Sequence, residues 1–331
     1  MKAAFLTQYG GPDTIEIREI EKPSVGDDDI LIKTIATTVT QVDNIFRSGD
    51  QFFARIATGV LKPKIPVLGT ELSGVVEEVG KNVTAFKPGD EVIADSGTNY
   101  GAHAEYVLVS EKDPVIKKPE GMSFSEAAAL SYGGLTALSF LTDTAKLKSG
   151  QSILVLGGSG SVGSYAIQIA KYLGAHVTGV SSGKNTGLVT SLGADDVLDY
   201  TKNDVRNLDN RFDVIFDTVG KYSFGQLKHL LKGEGLFMTT DLSFGILVNM
   251  ALTSVVGKKK ANVSFTGLNS LEDKLKGLSL LVEIYEQGKI KPLIDQTFDF
   301  ENIVDAHKHV ATGRKKGNVI VNFSDNGGHN D

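Results

Sequence analysis

Two different rhythms of apolar residues divide this chain. From residue 1 to about 120 the apolar positions come in short runs, at Val75-Val76 to Val79, Val92-Ile93-Ala94 and Tyr106-Val107-Leu108-Val109. Turn signals such as Lys87-Pro88-Gly89-Asp90 separate them. Strands this short with turns this regular predict a small antiparallel barrel. From residue 121 the pattern changes to strand-helix alternation. Apolar runs at 152–156, 176–180, 197–199, 213–217 and 235–240 predict strands, and 161–173, 184–192 and 222–231 predict helices between them. That alternation implies a parallel sheet covered on both faces.

Four later segments complete the picture. Ser270-x-x-Asp273 reads as a helix start, with Leu271, Leu275, Leu278, Val282 and Tyr285 following on one face. Residues 289–323 read as strand, helix (301–311) and strand, and are expected to complete the first domain. The polar tail 324–331 is expected to be disordered. Leu242 to Val256 is apolar and precedes Lys258-Lys259-Lys260, but it is too short to span a bilayer. It is expected to be a buried loop or helix between domains. The domain expectation is therefore 1–120 with 289–323, 121–288, and the tail.

Composition narrows the function. With 331 residues, 41% hydrophobic and 22% charged, the chain can bury two cores. A net charge of −6 without a basic stripe argues against a nucleic-acid partner. The chain has no cysteine, which removes disulfides and thiolate metal sites. The N-terminal residues lack a signal-peptide core, so a cytoplasmic location is expected.

The chemistry concentrates at 151–163. Ile153-Leu154-Val155-Leu156 runs into Gly158-x-Gly160-x-x-Gly163. Val162, Ala166, Ile169, Ala170 and Leu173 then recur on one helical face. A strand, this glycine spacing and a helix together bind a dinucleotide. The backbone can approach the pyrophosphate, and the helix start presents N–H groups and a positive dipole end. Gly157, Gly158, Ser159, Gly160, Ser161, Val162 and Gly163 are the candidates.

The next strand ends in Ser181-Ser182-Gly183-Lys184-Asn185. An NAD-preferring fold places Asp or Glu there for the ribose 2′-hydroxyl. Here hydroxyls and an ammonium stand ready for a 2′-phosphate, so NADPH is expected over NADH.

The order of segments resembles the medium-chain dehydrogenase/reductase superfamily. Its hairpin is matched by Val79-Gly80-Lys-Asn-Val-Thr-Ala-Phe86-Lys-Pro-Gly89-Asp90-Glu-Val92. Its hinge is matched by Glu126-Ala-Ala-Ala-Leu130 and Gly134-Leu-Thr-Ala137, and its fourth nucleotide strand by Asp213-Val-Ile-Phe-Asp-Thr-Val-Gly220. The resemblance implies an α/β fold, with a Rossmann doubly wound parallel sheet and a GroES-like β-barrel catalytic domain.

Within the superfamily the chain looks most like the zinc-independent quinone oxidoreductase branch. Zinc enzymes carry Cys within the segment matching Thr38 to Asp43, and Gly-His-Glu where this chain has Gly69-Thr70-Glu71. Asp43 and Glu71 alone do not make a tetrahedral zinc site, so no metal is expected. His307 and His309 point to different helix faces and are expected at the surface.

The resemblance implies Tyr200 at the 2′-phosphate, Thr136 near the nicotinamide, and backbone contacts from Val219 and Gly220. It implies a substrate pocket near Thr40, Asn44 and Tyr132, with Tyr132 a candidate proton donor, and a homodimer joined at the edge of the nucleotide sheet. Without a Lewis acid, the acceptor must delocalise the incoming charge itself. Quinones and α,β-unsaturated carbonyls do so. An alcohol dehydrogenase of unusual metal use and a non-catalytic NADPH-binding regulatory protein remain as alternatives.

Overall fold

The structure is a computed structural model and describes residues 1–264 and 269–323, with side chains of 52, 53 and 57 excepted. It divides into two compact units, taken here one at a time.

The first unit comprises Met1–Ser131, Ser270–Val282 and the chain from Pro292 onward. Its centre is the eleven-residue strand Asp29–Val39, in which a buried residue recurs at most positions. This strand pairs antiparallel with Glu71–Val79, Tyr106–Ser110 and Asn318–Asn322. One strand can serve three neighbours because Tyr106–Ser110 pairs with its residues 29–33 and Asn318–Asn322 with its residues 36–39, while Glu71–Val79 pairs along residues 30–37 with register slips at Leu31/Ile32 and Thr34/Ala36. Bulges of this kind bend a strand and let a sheet curl. Glu91–Asp95 and Val115–Lys117 extend one side of the sheet, and Ile294–Asp299 extends the other. Two large apolar cores and a smaller cluster around Ala36, Ala128, Ala129 and Ile320 lie in the unit. One large core holds Ile30, Ile32, Leu72, Val76, Val92 and Val107, and the other Leu6, Val39, Phe300, Ile303, Val310 and Val319.

The second unit comprises Tyr132–Asn269 and Glu283–Lys291. Its six strands are all parallel and stand in the order Asp196–Asp199, His176–Ser181, Ser152–Leu156, Phe212–Asp217, Leu231–Thr239, Lys260–Val263. Numbered by their place in the chain that is 3-2-1-4-5-6, the doubly wound order, and its direction reverses between strands 1 and 4. Ile153, Leu154 and Val155 are fully buried, as a sheet covered on both faces requires.

Two expectations need correction. Residues 242–256 are not a buried segment: Phe244–Val255 is a helix in which Ile246 and Thr253 alone are buried, while Phe244 is 82% and Val255 84% exposed. The strand Lys260–Val263 that follows was not foreseen, because Lys260-Ala-Asn-Val263 has little of the apolar content that marks a strand. His307 is likewise not a surface residue. It is fully buried on the helix Ile303–Ala311, beside Ile303, Ala306 and Val310. His309 is half-buried and bound to Asp295 at 2.7 Å.

The tail 324–331 lies outside the described residues. No helix among the described residues is long and apolar enough to cross a membrane.

Candidate functional site

In the second unit the glycine loop leaves strand Ser152–Leu156 at its carboxyl end and opens the twelve-residue helix Ser161–Tyr172. Gly157 has φ +77°, which only glycine adopts without strain. The N–H groups of Gly157 and Gly158 both donate to the Val180 carbonyl, at 3.1 and 2.9 Å, so the loop is pinned to the neighbouring strand. A Cβ on Gly163 would collide with the Gly157 carbonyl oxygen, so the helix start lies directly on the turn. Gly160 at the N-cap has no side chain to offer, and no side-chain hydrogen bond caps this helix. A helix start without such a cap, beneath a loop too tight for side chains, suits an anionic group approaching from above.

The Val219 side chain covers the same turn: a Cβ on Gly157 would strike its Cγ2. Val219 and Gly220 are held there by Asp217, whose buried carboxylate accepts their N–H groups at 3.0 Å and that of Tyr222 at 2.9 Å. Burial raises the Asp217 pKa, against the lowering effect of those donors. Asp217 was not foreseen as the organiser of this loop. The signal was present, since an Asp followed by a Gly three residues later is the composition of an Asx-type turn.

Around the expected 2′-phosphate position the structure gathers distant residues. Ser181 is buried, Ser182 half-buried and Lys184 exposed on the turn Gly183–Asn185. Tyr200 donates its N–H to the Ser181 carbonyl at 3.1 Å, which brings its backbone beside that serine. Asn185 Nδ2 donates to Ser159 Oγ at 3.1 Å and ties this turn to the glycine loop.

Two further groups were missed. Lys221 Nζ lies 4.8 Å from the Tyr200 ring centroid, over its face, a cation–π contact. Asp199 places a carboxylate against Gly183, but accepts the Thr201 N–H at 2.9 Å and hydroxyl at 2.6 Å, and its pKa is lowered by these bonds. A 510 Å³ cavity opens beside Tyr200, lined also by Asp204, Arg206, Lys221, Tyr222 and Gln226. Arg206 is spent on Asp204 at 2.5 Å, which holds the Asp204 carboxyl at about 2, and Lys221 is the cation over Tyr200. Thr136 is buried and Tyr132 half-buried on the helix Phe124–Ser139.

In the first unit Thr40 caps the helix Gln41–Ser48. Its hydroxyl donates to Asp43 Oδ2 at 2.7 Å and accepts the Asp43 N–H at 3.3 Å. Asn44 Oδ1 accepts from Arg47 Nη2 at 3.2 Å, and its buried Nδ2 has no partner among the described residues. Glu71 is buried, with its carboxyl oxygens in hydrogen-bond contact with Thr38 Oγ1 at 2.8 Å and Thr70 Oγ1 at 2.6 Å, the two hydroxyls donating when Glu71 is a carboxylate. Burial, then Asp43 and Asp95, push the Glu71 pKa up to about 8. Tyr100 nearby holds a left-handed φ of +55°, a strained geometry outside glycine, and burial followed by Asp43 and Glu71 pushes its phenol up to about 12. Among the described residues no group of three His, Asp or Glu side chains is arranged to hold a metal ion.

The alcohol dehydrogenase GroES-like domain family matches residues 26–120, and the zinc-binding dehydrogenase family matches 192–321. A tomato (Solanum lycopersicum) 2-methylene-furan-3-one reductase is 36% identical, over 97% of this chain and 79% of the relative. An NADPH-dependent alkenal/one oxidoreductase, chloroplastic, of Arabidopsis thaliana is 34% identical over the same shares. The structure of a quinone oxidoreductase from Coxiella burnetii superposes with a TM-score of 0.87 at 28% identity, covering 97% of this chain and 99% of that one. The chain is an oxidoreductase, and it belongs to the quinone oxidoreductase-like branch of the medium-chain dehydrogenase/reductase superfamily.

Proposed function

We propose that the chain is an NADPH-dependent reductase that delivers hydride to quinones or α,β-unsaturated carbonyls without a bound metal. The observation that carries the reading is the pairing of the tight glycine turn with the 2′-phosphate region just beyond it. Gly157 to Gly163 would hold the pyrophosphate against the helix start. Ser181, Ser182 and Lys184 would receive the 2′-phosphate, with Tyr200 and the Lys221 above it closing that end. Val219 and Gly220, fixed by Asp217, would offer backbone and side-chain contact along the cofactor, and Thr136 would lie near its nicotinamide.

Reduced nicotinamide supplies the hydride when bound. The chain's own part is to orient the acceptor and to hydrogen-bond the oxygen on which charge develops. The relatives' names point to one acceptor chemistry, since a methylene-furanone, an alkenone and a quinone all spread added charge onto oxygen. Thr40, Asn44 and Tyr132 remain our candidates for the acceptor's surroundings. Oxidation of NADPH, followed by its absorbance, against a panel of quinones, enals and alkenones tests the reading. Turnover that survives a chelator and prefers NADPH supports it. Binding of NADPH without oxidation by any member of the panel refutes it.

We also propose a homodimer. Lys260–Val263 is an edge strand, paired on one side with Leu231–Thr239. Phe244, Leu252 and Val255 on the preceding helix and Val256 at its end are exposed apolar side chains. An edge with open backbone groups beside an apolar ridge suits a second copy of the same edge.

A further inference from the structure

Three carboxylates gather inside the first unit, and their partners differ in kind. Asp43 accepts the N–H groups of Thr40 at 2.7 Å and Gly69 at 3.1 Å, besides the Thr40 hydroxyl. Asp95 accepts the Gly97 N–H at 2.8 Å and faces Lys274 Nζ at 3.3 Å. Backbone N–H and ammonium groups can only donate, so both of these carboxyls serve purely as acceptors. Among the described residues the Glu71 carboxyl has hydroxyl partners alone, Thr38 Oγ1 and Thr70 Oγ1. A hydroxyl oxygen accepts as readily as its proton donates, so it serves an acid as well as a carboxylate.

With two anions beside it and no cation of its own, Glu71 keeps its proton at neutral pH. The other titratable groups around it do not alter this. Lys274 is spent on Asp95, Tyr100 stays protonated, His103 bonds the Thr38 carbonyl at 2.9 Å through Nε2, and buried His307, whose pKa is lowered by burial, stands edge-on to His103.

We propose that Thr70 is the proton donor to the reduced acceptor, and that Glu71 behind it resupplies the proton. This rests on the reductase reading above. A protonated Glu71 can turn its carboxyl hydrogen to Thr70 Oγ1 across the same 2.6 Å contact, in place of the hydroxyl's donation to a carboxylate, and this frees the Thr70 hydroxyl hydrogen to donate elsewhere. Thr38 is enclosed, whereas Thr70 is half-exposed, so the chain of donors opens outward at Thr70.

Hydride addition forms a C–H bond at the β-carbon of an enone, uses the C=C π bond, and leaves an electron pair on the enolate oxygen. That oxygen takes the Thr70 proton, Thr70 takes the Glu71 proton, and Glu71 remains a carboxylate until water reprotonates it. The position of Thr70 is the one that carries histidine in the Gly-His-Glu of the zinc enzymes. A hydroxyl backed by an acid replaces it here.

The test uses the intact protein with NADPH and two acceptors, methyl vinyl ketone and 1,4-benzoquinone. Thr70→Val should lower kcat on the enone by about 100-fold, the scale of general acid catalysis, with KM for NADPH unchanged. Thr70→Ser should restore it. Glu71→Gln keeps an N–H donor toward Thr70 but has no proton to pass on. It should therefore show the same loss and abolish the fall in kcat expected of the wild type as pH rises past about 8. Asp95→Asn removes a neighbouring anion and should move that fall to lower pH. Wild-type kcat in Thr70→Val, or an unchanged pH profile in Glu71→Gln, overturns the proposal. Should Glu71→Gln fail to fold, the Thr70→Val and Thr70→Ser pair decides alone. Failure of the wild type to oxidise NADPH with either acceptor would instead sink the reductase reading, before any variant is made.

Discussion

Glu71 makes folding stability depend on pH in an unusual direction. The unfolded chain releases this proton near the ordinary carboxyl value of 4.5, whereas the folded chain holds it to about 8. Between those limits the folded state binds more protons than the unfolded state, so stability falls as pH rises and levels off above the folded value. Each pH unit of that interval is worth about 1.4 kcal/mol, which caps the effect at about 5 kcal/mol. Relaxation and water entry around the new charge reduce it, and we expect about 2–4 kcal/mol between pH 5.5 and 8.5. The perturbation is Glu71→Gln, which fills the same space and cannot ionise. The assay is guanidinium unfolding at several pH values, followed by circular dichroism because the chain has no tryptophan. The quantity read is the wild-type minus variant difference in the transition that carries the first unit, so that other titrating groups cancel. That difference should decline steadily with pH. A difference flat within about 0.5 kcal/mol would mean that Glu71 is already ionised at pH 5.5, and would remove the acid from the interior of this unit.

Other perturbations test other parts of the molecule. Lys184→Ala removes an exposed ammonium and should raise KM for NADPH about fivefold, near 1 kcal/mol, with KM for NADH unchanged; equal effects on both cofactors would remove Lys184 from the 2′-phosphate. Gly163→Ala forces a methyl group against the Gly157 carbonyl oxygen, which is backbone and cannot swing aside. It should cost about 1–3 kcal/mol of stability, measured by thermal unfolding, and weaken NADPH binding in titration; a variant of wild-type stability and affinity would contradict the close approach. Val255→Asp puts a charge on the exposed apolar ridge and should convert a dimer to a monomer by light scattering, whereas a wild type that is monomeric at micromolar concentration refutes the dimer.

The parts of the fold legible in the sequence are those fixed by neighbours in the chain. The glycine turn shows because each glycine has a local reason, a positive φ at Gly157 or a carbonyl under Gly163. The start of helix Leu271–Glu286 shows because Ser270 and Asp273 bond each other, the hydroxyl donating to Asp273 Oδ2 at 2.6 Å. His307 was misplaced although a signal existed. Ile303, Ala306 and Val310 set an apolar stripe at i, i+3 and i+7, and His307 occupies the missing i+4. Spacing from His309 shows that the two histidines face apart, but not which of them faces inward. The approach of Asp199 to Gly183, and of Lys221 to Tyr200, joins residues 16 and 21 positions apart from separate strand ends. No local pattern encodes such contacts. The exposure of Phe244–Val255 was illegible for another reason, since an apolar helix reports that it needs a partner and not where that partner is.

Hydroxyl accounting separates Thr40 from Thr70, both of which stand in the segments where the zinc enzymes carry ligands. The Thr40 hydroxyl both donates to and accepts from Asp43, and with the helix start depending on that exchange it has no hydrogen left for an acceptor molecule. Asn44 has likewise committed its oxygen to Arg47, leaving only an enclosed amide hydrogen pair. The Thr70 hydroxyl differs because its partner supplies a proton instead of consuming one. A carboxylate at Glu71 would bind the Thr70 hydrogen and silence it. A carboxylic acid reverses the bond and releases that hydrogen. The two anions at Asp43 and Asp95, which look unfavourable beside a third carboxyl, are what keep Glu71 in the form that leaves Thr70 free to donate.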